Sequence, residues 1–236
     1  MEENDRYIDM DMADTIIDRP LGFSIGNRHY DIYPVTLGKS MLIQRLTANL
    51  ELDSGNIKIN PYMEMLRVCE DKKSDVCRIL SIHTFNRKED VLDNTKIGYR
   101  ARMFEHKLSN EEIAKLFLVT LSDNVERFIK YLGIDSERAE RERITSFKRN
   151  KSYSVSFGGK SIYGTLIDYA CQRYGWTMDY VVWGISYANL KMLISDAVTT
   201  IELSKEDAKA LRISQGGTIS ADDPNNIDKI RSMLGD

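Results

Sequence analysis

The chain has few cysteines, no long apolar run and almost no net charge, and each shortage argues against a class of protein. Cys69, Cys77 and Cys171 are its three cysteines, an odd number without a CxxC pair. That argues against a disulfide framework and against a structural zinc site, and points to a reducing compartment. No stretch approaches the roughly 20 apolar residues that span a bilayer. Before Pro20 the chain carries Glu2, Glu3, Asp5, Asp9, Asp11, Asp14 and Asp18 in place of the basic start and apolar segment of a signal peptide. A cytoplasmic protein without membrane contact is therefore expected. With 33 basic and 36 acidic side chains the formal charge is −3, so no global field draws polyanions, and nucleic acid is not an expected partner.

Catalytic signals are equally sparse. His29, His83 and His106 stand far apart, outside any HExxH-like ligand spacing. Gly-Lys-Ser occurs twice, at Gly38-Lys39-Ser40 and Gly159-Lys160-Ser161. A phosphate-cradling loop also needs a glycine five residues before the second one, where this chain has Tyr33 and Ser154. Nucleotide binding rests on those incomplete elements alone and is the weakest reading. The chain is read as a non-enzyme, with no cofactor and no metal.

What the sequence does contain is helical spacing, interrupted by short alternating segments. Apolar residues make up 42% of the 236, enough for one good core or two smaller ones. Residues 1–19, acidic and poor in apolar surface, read as a mobile arm. Leu21 to Ile32 alternates about Gly26-Asn27, which predicts a hairpin pairing Ile25 with Arg28 and Phe23 with Tyr30. Helices are predicted from Leu37 (capped by Thr36), from Asn60-Pro61, and from Ser74 as a cap through His83. Residues 86–106 show no clear period. Ser109 with Glu112 forms a capping box opening one helix from Ile113 to Leu132, closed by Gly133.

Residues 135–151 hold six basic and four acidic side chains, a charged helical connector between domains 20–134 and 152–198. Tyr153, Val155 and Phe157 alternate into Gly158-Gly159, predicting a second hairpin over 152–163 with Ile162 facing Val155. A helix follows to Gly175, and a second, capped by Thr177, carries Tyr180, Trp183, Tyr187, Leu190 and Ile194 along one side. Trp183 and Leu166 are expected to be largely buried where these two helices meet. The stripe serves core packing first; as a contact surface, Tyr180, Trp183 and Tyr187 are the partner-binding candidates. Residues 199–236 form a polar tail with short helices. The last starts at Asp223-Pro224 and presents Ile227, Ile230, Met233 and Leu234 as a further candidate surface for a client or a second copy of the chain. The fold class is mainly α with small β-hairpins (α+β).

Two segments carry a family resemblance. Tyr30, Ile32, Pro34, Thr36, Leu37, Gly38 and Lys39 read YxIxPxTLGK, and Tyr174 to Ala197 reads YGWTMDYVVWGISYANLKMLISDA. Both resemble the tail assembly chaperones of long-tailed bacteriophages, in the version found in phages and prophages of Bacteroides-like hosts. The resemblance implies a helical, non-enzymatic protein in the cytoplasm of the bacterial host cell, absent from the finished virion. Its implied partners are the tape measure protein and, secondarily, tail tube subunits. Ten methionines would give such a surface adaptability. A neck or tail-completion protein retained in the particle is the alternative from a different class.

Overall fold

The structure, a computed structural model describing residues 3–121, 125–149 and 159–213, is mainly helical, with one two-stranded hairpin among those residues. The chain divides into two compact units, residues 1–137 with 155–197, and residues 138–154 with 198–236.

In the first unit, the segment expected to be a mobile arm forms α1 (Glu3–Ile16). Its anchor was hidden among the acids: Ile8 is buried, and the Asn189 side-chain amide donates to Thr15 O, Ile16 O and Asp18 Oδ1 at 3.0 to 3.2 Å. The Ile16 carbonyl at the helix end thereby gains a donor, and that of Thr15, which also accepts from Asp18 N–H, a second one. β1 (Leu21–Ile25) and β2 (Arg28–Ile32) pair in the expected register, with Gly26 at φ +57° in the turn. Phe23 and Tyr30 stack at 5.6 Å, and their rings meet Phe104 at 5.9 and 5.5 Å, which fixes the hairpin's inner face to the helices.

Thr36 accepts a hydrogen bond from Lys39 N–H and caps α2 (Leu37–Thr47), which runs into a 3-10 turn at Ala48–Leu50. α3 (Ser54–Ile59) is a short helix not anticipated from the sequence, capped by Asp53. Asn60 caps α4 (Pro61–Asp71) as expected. The next helix, α5 (Lys73–His83), starts earlier than predicted: Val76 N–H donates to Lys72 O at 3.1 Å, which leaves Ser74 inside the first turn instead of capping it.

The unplaced stretch 86–106 holds α6 (Lys88–Leu92) and most of α7 (Asn94–Lys107). Asp93 caps α7, and Ile97, Ala101 and Phe104 are its buried face. The Ser109–Glu112 capping box opens α8 (Asn110–Thr120) with both reciprocal bonds in place. The expected continuous helix to Leu132 is instead two. α8 tightens at its end, where Leu121 N–H donates to Leu118 O, and α9 (Val125–Tyr131) begins afresh. α10 (Ile134–Arg149) follows Gly133, whose φ is +70°.

Ser161 caps α11 (Ile162–Tyr174), which ends on Gly175 in the left-handed conformation. A π-helical turn at Tyr180–Gly184 comes next, then α12 (Tyr187–Ser195), capped by Ser186. The stripe predicted along one helix is therefore broken at Ile185 and Ser186, where the backbone is extended. The hairpin predicted over 152–163 falls mainly outside the described residues, and Ile162 is 84% exposed.

The main core joins Met65, Val68 and Cys69 of α4 to Val76, Cys77, Ile79 and Leu80 of α5, Phe104 of α7, and Ile113 and Phe117 of α8. A second cluster of Ile82, Phe85, Val91 and Ile97 receives Leu42, Leu46 and Trp183. A third sets Ala170 against Val181, Ile185 and Leu190, with Leu166 half-buried beside them. Trp183 thus packs away from the place where the sequence put it, and is itself half-buried.

The second unit's described residues comprise the charged part of α10 and residues 198–213, with α13 (Lys205–Ala210) capped by Ser204. Arg143 donates to Leu211 O at 3.3 Å and Lys148 to Glu202 O at 2.6 Å. No helix among the described residues is long and apolar enough to cross a membrane.

Candidate functional site

The two segments that carry the family resemblance, far apart in sequence, meet in space. β2 leads through Pro34 to Thr36, which forms an antiparallel bridge with Ser186. Tyr187 N–H donates to Val35 O at 2.7 Å. Each of Thr36 and Ser186 also caps its own helix, so one pair of hydroxyl residues starts two helices and joins them. Trp183 then lies against Gly38: a Cβ at that position would stand 2.7 to 2.8 Å from ring atoms of the indole. The glycine of the first Gly-Lys-Ser element thus makes room for an aromatic ring. Lys88 pairs with Asp179 and sits over the same indole, 5.9 Å from its centroid. In the second element Ser161 is a helix cap.

Lys39 follows Gly38 and turns inward, only 1% exposed. Its ammonium has no hydrogen-bond partner and stands 5.6 Å from the centroid of the Tyr33 ring. Burial lowers its pKa to about 8. His83, at the end of α5, is also buried, and its Nδ1 has no partner. Its backbone carbonyl accepts from Tyr33 N–H at 2.9 Å, which holds α5 to the strand exit. Burial, and secondarily the charge of Lys39, bring the His83 pKa down to about 3, so its ring is neutral at physiological pH.

Tyr33 and His83 line a recess of about 710 Å³, whose wall also includes the end of α1, Val35, Val125 and Tyr187. Polar groups at its edge are paired: Asp14 with Arg19 at 3.1 Å, Asp11 with Arg127 at 3.3 Å, and Asp18 with Asn189. Lys191 lies 3.7 Å from Glu126. The recess has the size range of small-molecule and peptide sites, and its wall is mixed: Ile32, Val35, Val119 and Val125 stand beside Asp11, Asp14, Asp18, Arg19 and Lys191.

The predicted contact residues diverge. Tyr180 is 44% exposed and stands edge-on to Trp176, which stacks on Tyr174 at 4.6 Å. With Met178, 64% exposed, it forms an outward aromatic edge. Trp183 faces Gly38, and Tyr187 faces the recess. These residues therefore serve three places, not one surface. Ile227, Ile230, Met233 and Leu234 lie outside the described residues. Sequence reasoning missed the Lys39–His83 pair; its only local signal was a lysine in the first turn of a helix, where the helix dipole disfavours a cation.

Among the described residues no group of three or more His, Cys, Asp and Glu side chains is placed to hold a metal ion. Cys69 and Cys77 are buried thiols whose pKa values burial pushes up to about 11 and about 12, which keeps them protonated. Comparison with known protein families, with curated proteins and with solved structures finds no match to this chain.

Proposed function

We propose that the chain is a tail assembly chaperone of a long-tailed phage, holding the tape measure protein in an assembly-competent state before the tail tube polymerises. The observation that carries this reading is the joint between the two resembling segments. Residues about 150 positions apart share a backbone bridge and an aromatic–glycine contact, so the resemblance falls on one structural unit and not on two unrelated stretches. Beside that joint the outward edge of Tyr180 and Met178 offers apolar surface to a client chain, with aromatic and sulfur groups suited to irregular helical partners. Residues 223–234 supply a second client surface in this reading.

Co-expression tests it. The tape measure protein should be recovered soluble with the wild-type chain and should aggregate without it. Truncation after Gly217 should weaken its capture while the thermal transition of the remaining chain is kept. Recovery unaffected by the presence of the chain would refute the chaperone reading. Mass spectrometry of purified particles separates the chaperone from a neck or completion protein, because only the latter is retained in the virion.

A further inference from the structure

We propose that the recess beside His83 binds a carboxylate carried on an apolar body, with His83 donating a hydrogen bond to it and Lys39 supplying the opposing charge. The proposal starts from an imbalance. Buried ammonium groups are costly without acceptors, and buried polar atoms in folded proteins are nearly always partnered. Here two neighbouring buried groups, Lys39 Nζ and His83 Nδ1, have no partner. Packing at Lys39 requires only an apolar chain of that length. Its place in the first turn of α2 adds the unfavourable helix dipole.

Lys39 is the charged group that acts on His83, and the carboxylates at the edge of the recess are held by Arg19, Arg127 and Asn189. What the pair lacks is therefore an acceptor bearing negative charge. Lys39 does not itself line the recess, but Tyr33 and His83 do; its ammonium stands 5.6 Å from the Tyr33 ring centroid and its charge acts on His83. At such range in a poorly solvated interior a charge acts strongly on an anion beside the wall. The apolar part of the wall, with Ile32, Val35, Val119 and Val125, matches an aliphatic or aromatic body. A free apolar acid and the C-terminal carboxylate of a polypeptide share this chemistry.

The full-length protein is titrated with sodium octanoate, with octanamide, and with a short apolar peptide as its free acid and as its C-terminal amide, all at constant ionic strength. Nitrogen and carbon resonances of the Lys39 and His83 side chains are followed together with the melting temperature. Saturable shifts of both side chains and a rise in melting temperature are expected with octanoate or the free-acid peptide, but not with the amides. Binding of octanoate alone identifies a free acid as the ligand; binding of the peptide acid identifies a chain terminus. Lys39→Met should weaken binding about tenfold or more, the loss of the opposing charge behind the wall, and His83→Phe should do likewise through the lost hydrogen bond. Equal binding of acid and amide, or no saturable shift in the wild-type protein with either acid, overturns the proposal. The wild-type resonances decide the matter even if a variant fails to fold.

Discussion

At the scale of single residues, the same amino acid has opposite consequences in two helices. Gly38 faces the Trp183 ring, whereas Gly98 in α7 has open space where a Cβ would go. Gly38→Ala should destabilise by about 1 to 3 kcal/mol, because ring atoms and not a flexible tip must move. Gly98→Ala should stabilise by about 0.5 to 1 kcal/mol through helix propensity. Paired denaturant titrations check both signs. Glu64 gives a pH prediction. It is buried and accepts hydrogen bonds from Arg67, from Asp53 N–H at 2.9 Å and from Asn56 at 3.2 Å. The bonds from Arg67, then that from Asp53, hold its pKa down to about 2. A carboxylate depressed in the folded state contributes stability that is fully present above its unfolded pKa of about 4.5 and is lost as pH falls toward 2. The melting temperature should drop across that window. The drop should be shallower in Glu64→Gln relative to that variant's own value at pH 6. Lys39 gives the same sign of pH dependence from the opposite cause, a penalty on its charged form: its folded pKa of about 8 lies below the ordinary value of 10.5. Its burial cost is therefore relieved as pH rises from 8 to 10.5, and a Lys39→Met variant should lack that gain in stability.

At the scale of elements, what could be read from the sequence is what short-range chemistry determines. Thr36, Asn60 and Ser109 with Glu112 cap the helices that the sequence assigns to them, because a capping side chain and its N–H target lie within three residues. The hairpin register followed from alternation about Gly26-Asn27. Three of the features that escaped have a plain physical reason. α7 buries Ile97, Ala101 and Phe104 at helical spacing, but one of the three is only alanine, so the period is faint. The split between α8 and α9 interrupts an apolar period that continues in phase across it. The π turn changes the helical step at Tyr180–Gly184, and nothing in the residue order signals a change of step. The capping box gives a test: Ser109→Ala should cost about 1 kcal/mol, read as a lower denaturation midpoint with an unchanged m-value. Phe104→Ala, which removes the ring shared by Phe23, Tyr30 and the main core, should cost about 3 to 5 kcal/mol.

At the scale of the whole molecule, the candidate site was legible in its parts and not in its assembly. Thr36, Gly38, Lys39, Trp183 and Tyr187 all stand in the two resembling segments, but their mutual contact is a long-range fact that no local pattern encodes. His83 reaches the same place from the end of α5, and Asn189 ties the end of α1 to α12, which is why an acidic stretch read as an arm borders the recess. The bridge between Thr36 and Ser186 also has a kinetic meaning. Closing about 150 residues costs more loop entropy than the helix pairs within residues 60–120 require, and such contacts tend to form after the local ones. The main core of α4, α5, α7 and α8 is therefore expected to be organised in the folding transition state while the joint is still open. Trp183→Ala should then speed unfolding and leave the refolding rate nearly unchanged, a φ-value near zero, whereas Val76→Ala in α5 should slow refolding. Stopped-flow chevrons of the two variants distinguish this order from its reverse, and a slow-forming joint would leave the recess unmade for a time in every newly synthesised chain.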